Sequence, residues 1–552
     1  MLNLYEIVLR HAVEQPRRIA LSVRQSGCGF VTVDYAELIA LVQRFVAAYE
    51  QLVTAERRVI PLLVGKSPHS VAAMLAAIGI DRPFCFLNAK YRGPQIAAVL
   101  ESTGAPFGVV DPAGLVALRD TWKQHPIIAQ RKWLIVGEPK GEIYERAESQ
   151  LRQAAPTMSL PDLLADTRRS GAPRPIRDDV DGACLFTSGS TGEPKGVRIS
   201  EADLMARSQA EIEWFGLSRD DVLLNILPFS FDVGLNQLLS ALTVGCELVL
   251  CDSWLPIDLR EAVVQRRVTG IAGVPALWQD LIRAGVRLDI DEMTSSLRYI
   301  TVSGGSLAPS QVDQLQPMIG RAGIFKTYGQ SEAFRTASLR PEELNRKPLS
   351  VGRAFPGARF YVVDEAGRRC RSGEIGEIVH TGLGVMMGYL APANADESLR
   401  KRRRNPFQGP EDPSEWAVFT GDLGYADEDG FLFLKGRRDG MIKVMGNRVY
   451  PQEVTHQVLA VSGIRDAVVA VVDDPPGSAA LIAFVVTEPS SRLSAASIRQ
   501  ALKSRLPAYM VPRRICLVGE IPRTTSGKPD SRQLLAEIDG CLCPSARGEE
   551  PT

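Results

Sequence analysis

One run of twelve residues concentrates groups suited to a single chemistry: Leu185-Phe186-Thr187-Ser188-Gly189-Ser190-Thr191-Gly192-Glu193-Pro194-Lys195-Gly196. An apolar stretch from Ala183 to Phe186 leads into glycines, hydroxyls and one lysine. Glycines let backbone N–H groups approach a polyphosphate. The hydroxyls of Thr187, Ser188, Ser190 and Thr191 add donors, and Lys195 adds a positive charge. The order is not that of a Gly-Lys-Ser/Thr loop opening a helix. A flexible Gly/Ser connection is the bland account. It does not call for this particular order of hydroxyls, glycines and lysine.

A loop of this kind needs a strand before it and a layered body around it. Residues 6–13 and 35–49 carry helical patterns. Short apolar runs at 58–64, 71–80, 106–110 and 133–136 alternate with helical segments, as in an α/β sheet. Residues 139–181 are polar and rich in Glu, Arg and Pro, which predicts a surface excursion. A second α/β rhythm runs from Ala183 to Tyr328. Between Ser350 and Leu434 the helical pattern fades, and runs such as 358–363 and 374–379 predict a small β-rich unit. Gly436-Arg437-Arg438-Asp439-Gly440 is a charged junction. Beyond it the pattern restarts, with strands at 441–444, 466–472 and 480–486 and helices at 451–459 and 495–502.

The chain of 552 residues has 64 Lys+Arg and 64 Asp+Glu, with 45% hydrophobic and 23% charged residues. Those proportions describe an ordinary globular chain rather than a disordered or fibrous one. Zero net charge argues against bulk attraction to nucleic acid or an anionic membrane. The nine cysteines include no CxxC pair, so neither a disulfide framework nor a zinc site is expected. A reducing cytoplasm is the simplest compartment. Residues 226–251 are the most apolar stretch, but Asp232, Asn236, Gln237 and Glu247 rule them out as a membrane span.

Thr187-Ser188-Gly189-Ser190-Thr191-Gly192-Glu193-Pro194-Lys195-Gly196-Val197 resembles the phosphate loop of the adenylate-forming superfamily. That superfamily includes acyl-CoA synthetases, luciferases and the adenylation domains of peptide synthetases. Four further stretches follow in the family's order: Tyr328-Gly329-Gln330-Ser331-Glu332, Thr420-Gly421-Asp422-Leu423, Gly436-Arg437-Arg438-Asp439, and Pro522-Arg523-Thr524-Thr525-Ser526-Gly527-Lys528. The resemblance implies an α/β fold. Its large N-terminal domain, 1–438, would hold two α/β subdomains and a small β-barrel-like one. A small mobile α+β lid, 439–540, would follow, then a disordered tail, 541–552.

The resemblance also implies roles. ATP would lie on the loop, with Tyr328 against the adenine, Gly304-Gly305 lining its face and Gly329 among the other nucleotide-binding residues. Asp422 would accept from the ribose hydroxyls, with Arg437 as a second ribose or phosphate contact. Glu332, with Thr191 or Ser331, would serve Mg²⁺, whose preferred ligands are oxygens. Lys528 would bridge carboxylate and α-phosphate in the transition state. Asp439 would be the hinge that withdraws Lys528 before a thiol attacks, and residues near Lys443, Gly446 and Tyr450 would then face the site.

The acid is addressed by Phe229-Ser230-Phe231-Asp232-Val233-Gly234. Many acyl-CoA synthetases have histidine in this motif. Peptide-synthetase domains and stand-alone D-alanine ligases have Phe-Asp, whose carboxylate holds the substrate ammonium. Asp232 is thus the expected anchor for an α-amino group, the alternative being a cap for a helix over 235–242. Val233, Asn236, Ala272, Thr301, Ser303, Thr327, Arg335 and Thr336 are the other expected pocket positions. An inward Arg335 would either fill space, leaving room for a very small amino acid, or pair with an acidic side chain. Glycine, alanine, serine and aspartate are all open.

Residues 439–444 and 449–454 read more like acyl-CoA ligases, so the sequence is intermediate between the two groups. No Asp-Ser-Leu carrier motif is present, so a phosphopantetheine acceptor thiol is expected in trans, on a free carrier protein or as coenzyme A. Lys401-Arg402-Arg403-Arg404 suits an acidic carrier surface but is more simply a solvated loop. The expected function is adenylation of a small amino acid by ATP and its transfer to a carrier-protein phosphopantetheine. An acyl- or aryl-CoA ligase is the alternative, and a non-catalytic nucleotide-binding protein the remote one.

Overall fold

The computed structural model describes residues 2–25, 29–89, 91, 93–119, 121–137, 141–160, 176–188, 194–288, 295–305, 307–390, 401–438, 440, 442–444, 447–473, 479–503, 505–506, 508–524 and 528–541. Among them two large sheets dominate. The first has eight strands in the spatial order Gly388–Tyr389, Pro194–Ser200, Asp181–Ser188, Phe84–Phe86, Ile60–Leu63, Phe107–Val110, Lys132–Ile135 and Thr157–Ser159. From Asp181–Ser188 onward the neighbours are parallel. Ile60–Leu63 and Phe107–Val110 are buried at every position, the pattern of strands covered on both faces.

The second sheet has nine strands, in the order Arg353–Ala354, Ala333–Leu339, Gly323–Gln330, Tyr299–Val302, Gly270–Gly273, Val222–Asn225, Glu247–Leu250, Ile19–Gln25 and Gly29–Asp34. One core joins the two sheets. Phe84 and Phe107 of the first cluster with Leu223 and Leu248 of the second and with Phe45, Tyr49 and Leu238 from helices. Those helices start where capping residues stand. Asp34 and Glu37 form a reciprocal box at the start of Tyr35–Leu52, and Ser200 accepts from Asp203 N–H at the start of Glu201–Phe215.

The β-rich unit is a five-stranded sheet of Ala358–Val363, Gly376–Gly382, Trp416–Ala426, Arg402–Arg404 and Leu432–Arg437. The C-terminal region has cores of its own, around Val449, Val454, Ala483 and Ile498 and around Phe484 and Leu534. The strands Ile464–Asp473, Ala479–Thr487 and Arg514–Leu517 form its sheet. It touches the large body through Lys435–Glu453 at 3.1 Å and through Arg523 Nη2, which donates to Gln279 Oε1 at 2.9 Å. Among the described residues no helix is long and apolar enough to cross a membrane. Cys85, Cys184, Cys246, Cys251, Cys370 and Cys516 carry free thiols.

Three local expectations differ from the structure. Residues 71–79 fall in the helix Pro68–Gly79, with Ile80 as its C-cap, and its run from Val71 to Ala77 is apolar throughout because it is buried on all sides. Within the predicted surface excursion, Glu142–Ala154 is an amphipathic helix anchored by Ala147 and Leu151, and Thr157–Ser159 adds an edge strand. The basic run is solvated, as expected, but part of it is a strand rather than a loop. Arg402–Arg404 pairs with Trp416–Ala426, Arg402 and Arg404 lie over the Trp416 ring, and Arg403 lies over Phe419. Stacked guanidinium groups keep their outer edges wet while covering an aromatic face.

Candidate active site

The strands Val222–Asn225, Gly270–Gly273, Tyr299–Val302 and Gly323–Gln330 are mutually parallel. In such a sheet the crevice beyond the carboxyl ends is where ligands bind. Several of the expected residues fall on those ends. Ser303 Oγ and Thr327 Oγ1 are 2.7 Å apart, and Thr301 Oγ1 lies 3.4 Å from Ser303 Oγ. Gly304 takes a left-handed φ of +72°, which turns the chain out of its strand, and Gly305 approaches Pro275. Thr336 is fully buried and bonded to His380 Nδ1 at 3.0 Å.

Asp232 opens the helix Asp232–Val244 at its first position, and the N-cap is Phe231. Asp232 therefore does not occupy the cap, although its Oδ1 accepts from Val233 N–H at 2.8 Å. Burial raises its carboxyl pKa, against the Val233 N–H and the charges of Arg207, Arg335 and Lys528. Arg207 is bound to Asp203 and to the Gly384 carbonyl, and Arg335 to Glu211. Among the described residues no cation forms an ion pair with Asp232. Val233 and Asn236 are buried on the same helix.

A continuous polar network joins the three sheets of the large body. Tyr328 Oη donates to Asp422 Oδ2 at 2.6 Å and Gln330 Nε2 to the same oxygen at 2.9 Å, while Arg437 Nη1 reaches Asp422 Oδ1 at 3.2 Å. Asp422 and Arg437 are cross-strand partners, which fixes that ion pair. Gln330 Oε1 accepts from Lys401 Nζ at 3.1 Å, and Lys401 donates to Glu332 Oε1 at 3.0 Å. Tyr389 Oη also donates to Glu332 Oε1, at 2.7 Å. Burial pushes the Glu332 carboxyl up, but Lys401 and Tyr389 outweigh it and hold the group below its ordinary value. Ser331 sits in the turn beside Glu332.

The Tyr328 ring packs among Ala337, Val362, Ile378 and Leu432, so the tyrosine is a core residue whose hydroxyl orients Asp422. Gly329 is dictated by packing, since a Cβ there would meet Arg335 N at 2.6 Å. Tyr389 and the Gln330 amide carry no sequence signal of their own, and Lys401, expected only as part of a basic run, instead meets Glu332. The only signal for Gln330 was its place inside the Tyr328–Glu332 stretch.

Thr187 and Lys195 face each other at the end of the hairpin formed by Asp181–Ser188 and Pro194–Ser200. Gly189, Ser190, Thr191 and Gly192 lie outside the described residues, as do the expected hinge Asp439 and Gly446. Of the expected tail, 542–552 lies outside them too, and Cys541 ends the helix Ser531–Cys541. Lys443 belongs to a short strand, Ile442–Val444, and Tyr450 is buried ahead of the helix Pro451–Leu459. Lys528 is exposed, its N–H bonded to Thr524 Oγ1 and its carbonyl to Thr524 N–H. Arg523, nearby in the chain, is clamped to Asp466 Oδ2 at 2.6 Å.

A family model described as AMP-binding enzyme matches residues 8–390, and one described as AMP-binding enzyme C-terminal domain matches 453–528. The chain is 29% identical to an indoleacetate–CoA ligase of Aromatoleum aromaticum, over 97% of this chain and 98% of that one. It is 31% identical to a D-alanine–D-alanyl carrier protein ligase of Bacillus cereus, over 72% of this chain and 81% of that one. Its fold matches ATP-bound MatB from Rhodopseudomonas palustris with a TM-score of 0.80 at 21% identity, covering 98% and 100% of the two chains.

Proposed function

This chain belongs to the AMP-binding enzyme family, and on that premise we propose that it activates an amino acid. It is an adenylate-forming ligase. In the proposed reaction, the carboxylate of a small amino acid attacks the α-phosphate of ATP, giving aminoacyl-AMP and pyrophosphate. The phosphopantetheine thiol of a separate carrier protein then attacks the acyl carbonyl and AMP leaves. The cytoplasm, where ATP and carrier proteins meet, is the proposed compartment.

The observation that carries the amino-acid reading is Asp232. It is a half-buried carboxylate at the crevice, and no cation among the described residues pairs with it. A carboxylate in such a place is stabilised by an ion-paired ammonium. Asp422, pinned by Tyr328, Gln330 and Arg437, is pre-oriented to accept from a ribose diol. Thr187 and Lys195 border the loop proposed for the phosphates, and Lys528 is the proposed bridging lysine.

The donor set also fits Mg²⁺. Glu332 is a buried, ionised carboxylate, and among the described residues no cluster of three or more acidic, His or Cys side chains could hold a metal alone. Mg²⁺ takes one or two protein carboxylates and completes its shell with phosphate and water oxygens. Bound there, it would neutralise phosphate charge. Glu332 is the proposed carboxylate, and Lys401 keeps it ionised until then.

An acyl- or aryl-CoA ligase is the second reading, favoured by the near full-length match to the indoleacetate–CoA ligase. ATP–pyrophosphate exchange over amino acids and over fatty and aromatic acids separates the two. Exchange confined to acids without an amine would refute the amino-acid reading.

A further inference from the structure

Behind the crevice lies a small cavity lined by Arg335, Glu211, Gln237, Ser240 and Thr301 among others. Arg335 and Glu211 are 5% and 3% exposed at their side chains, and Arg335 Nη2 pairs with Glu211 Oε1. Glu211 Oε2 accepts from Ser240 Oγ at 2.9 Å. The guanidinium also lies over the rings of Phe215, Phe334 and Phe355. Arg335 therefore points inward, and its acidic partner is the protein's own.

That pairing leaves donors over. Among the described residues nothing accepts from Arg335 Nε or Nη1, and Asn236 Nδ2 and Gln237 Nε2 are also buried without an acceptor, while on the acceptor side Glu211 Oε1, held by Arg335 as an ion pair, and Asn225 Oδ1 lack a hydrogen-bond donor. A guanidinium has five N–H donors and no acceptor, so its surplus is of one kind. A buried donor left unmade is costly, and a group that satisfies it is selected strongly over an isostere that cannot. A substrate carboxylate would satisfy Arg335 as well, but it would have to be buried beside Glu211, and like charges at close range disfavour each other.

We infer that the far end of the acid pocket recognises a neutral hydrogen-bond acceptor, a hydroxyl or amide oxygen, on the substrate's side chain. Arg335 is the specificity-determining donor and Glu211 the residue that excludes acidic side chains. Within the proposed amino-acid reading, on which this rests, the substrate class is small, polar and uncharged, so alanine, glycine and aspartate are set aside.

The test is ATP–pyrophosphate exchange on matched acids: serine against alanine, threonine against valine, asparagine against leucine and against aspartate. At least one oxygen-bearing member should exceed its apolar partner and aspartate by tenfold or more. Arg335→Met should reduce that ratio to near one. Glu211→Gln should raise exchange with aspartate relative to asparagine at least tenfold, an outcome that loss of structure does not produce. Should the buried unpaired arginine prevent folding, the Glu211→Gln/Arg335→Met double variant should fold and favour the apolar members. Robust exchange with equal or better use of alanine, valine or leucine would overturn the inference and leave amino-acid adenylation standing. Exchange with no amino acid at all would overturn both.

Discussion

Tyr328 and Asp422 meet hydroxyl to carboxylate at 2.6 Å, across the boundary between the nine-stranded and five-stranded sheets. The contact ties the proposed ribose-binding carboxylate to a buried ring, so the proposed nucleotide contact and the packing of the two sheets share one residue. Tyr328→Phe keeps the ring and removes the hydrogen bond. A hydrogen bond to a charged group contributes about 1.5–3 kcal/mol. We expect a several-fold rise in KM for ATP with a smaller change in kcat, and a lowered Tm, measured by exchange kinetics and thermal denaturation.

Lys528 is expected to act in one half-reaction only. Lys528→Ala should reduce pyrophosphate exchange by about a hundredfold or more, the scale of losing one transition-state donor. Transfer from a chemically supplied aminoacyl-adenylate to a thiol should persist. Equal loss of both steps would contradict the proposed division of labour.

Lys401 holds Glu332 ionised, and the sign of its pH effect follows. A carboxyl depressed in the fold contributes stability that is present above its unfolded value of 4.5 and lost as pH falls through the folded value. Lys401→Met leaves that buried carboxylate without its cation, held by Tyr389 and its own backbone N–H among the described residues, at a cost on the order of 2–3 kcal/mol. Urea denaturation between pH 3 and 8 should show the wild type losing this carboxyl's contribution as pH falls below 4.5, whereas the variant's deficit is largest near neutral pH and narrows as acid protonates Glu332. The concentration of Mg²⁺ giving half-maximal exchange should rise in Glu332→Gln.

His380 is a second acid-sensitive point. Burial pushes its imidazole down to about 4 from 6.5, against the Leu383 carbonyl, with Arg207 also lowering it. The unfolded chain therefore takes up a proton between those values that the folded chain refuses, and stability falls as pH drops from 6.5 to 4. His380→Gln should flatten the stability profile across that window.

The parts of the site legible in the sequence are those the chain carries in short runs. Tyr328, Gln330 and Glu332 stand together on one hairpin, and Asp422 and Arg437 on another, so each run announces its group. Tyr389 and Lys401 meet Glu332 from 57 and 69 residues away, and no local pattern records such a meeting. Glu211 was hidden for a further reason. On the helix Glu201–Phe215 it reads as one more helical charge, and only the packing against Asp232–Val244 turns it inward to Ser240 and Arg335. The alternation of strands and helices was legible through burial, since parallel strands are apolar throughout. It failed where a helix is equally apolar, at Pro68–Gly79.

The central claim is that Asp232 receives a substrate ammonium. Its most direct measurement is pyrophosphate exchange by the wild type and Asp232→Asn, each with an amino acid and with the same acid lacking the amine, serine and 3-hydroxypropionate being one pair. The account predicts that the wild type prefers the amino acid by a hundredfold or more. Asp232→Asn, still folded and still binding ATP, should lose most of that preference. A wild type that exchanges equally well with both acids, or an Asp232→Asn variant that keeps the full preference, would contradict it.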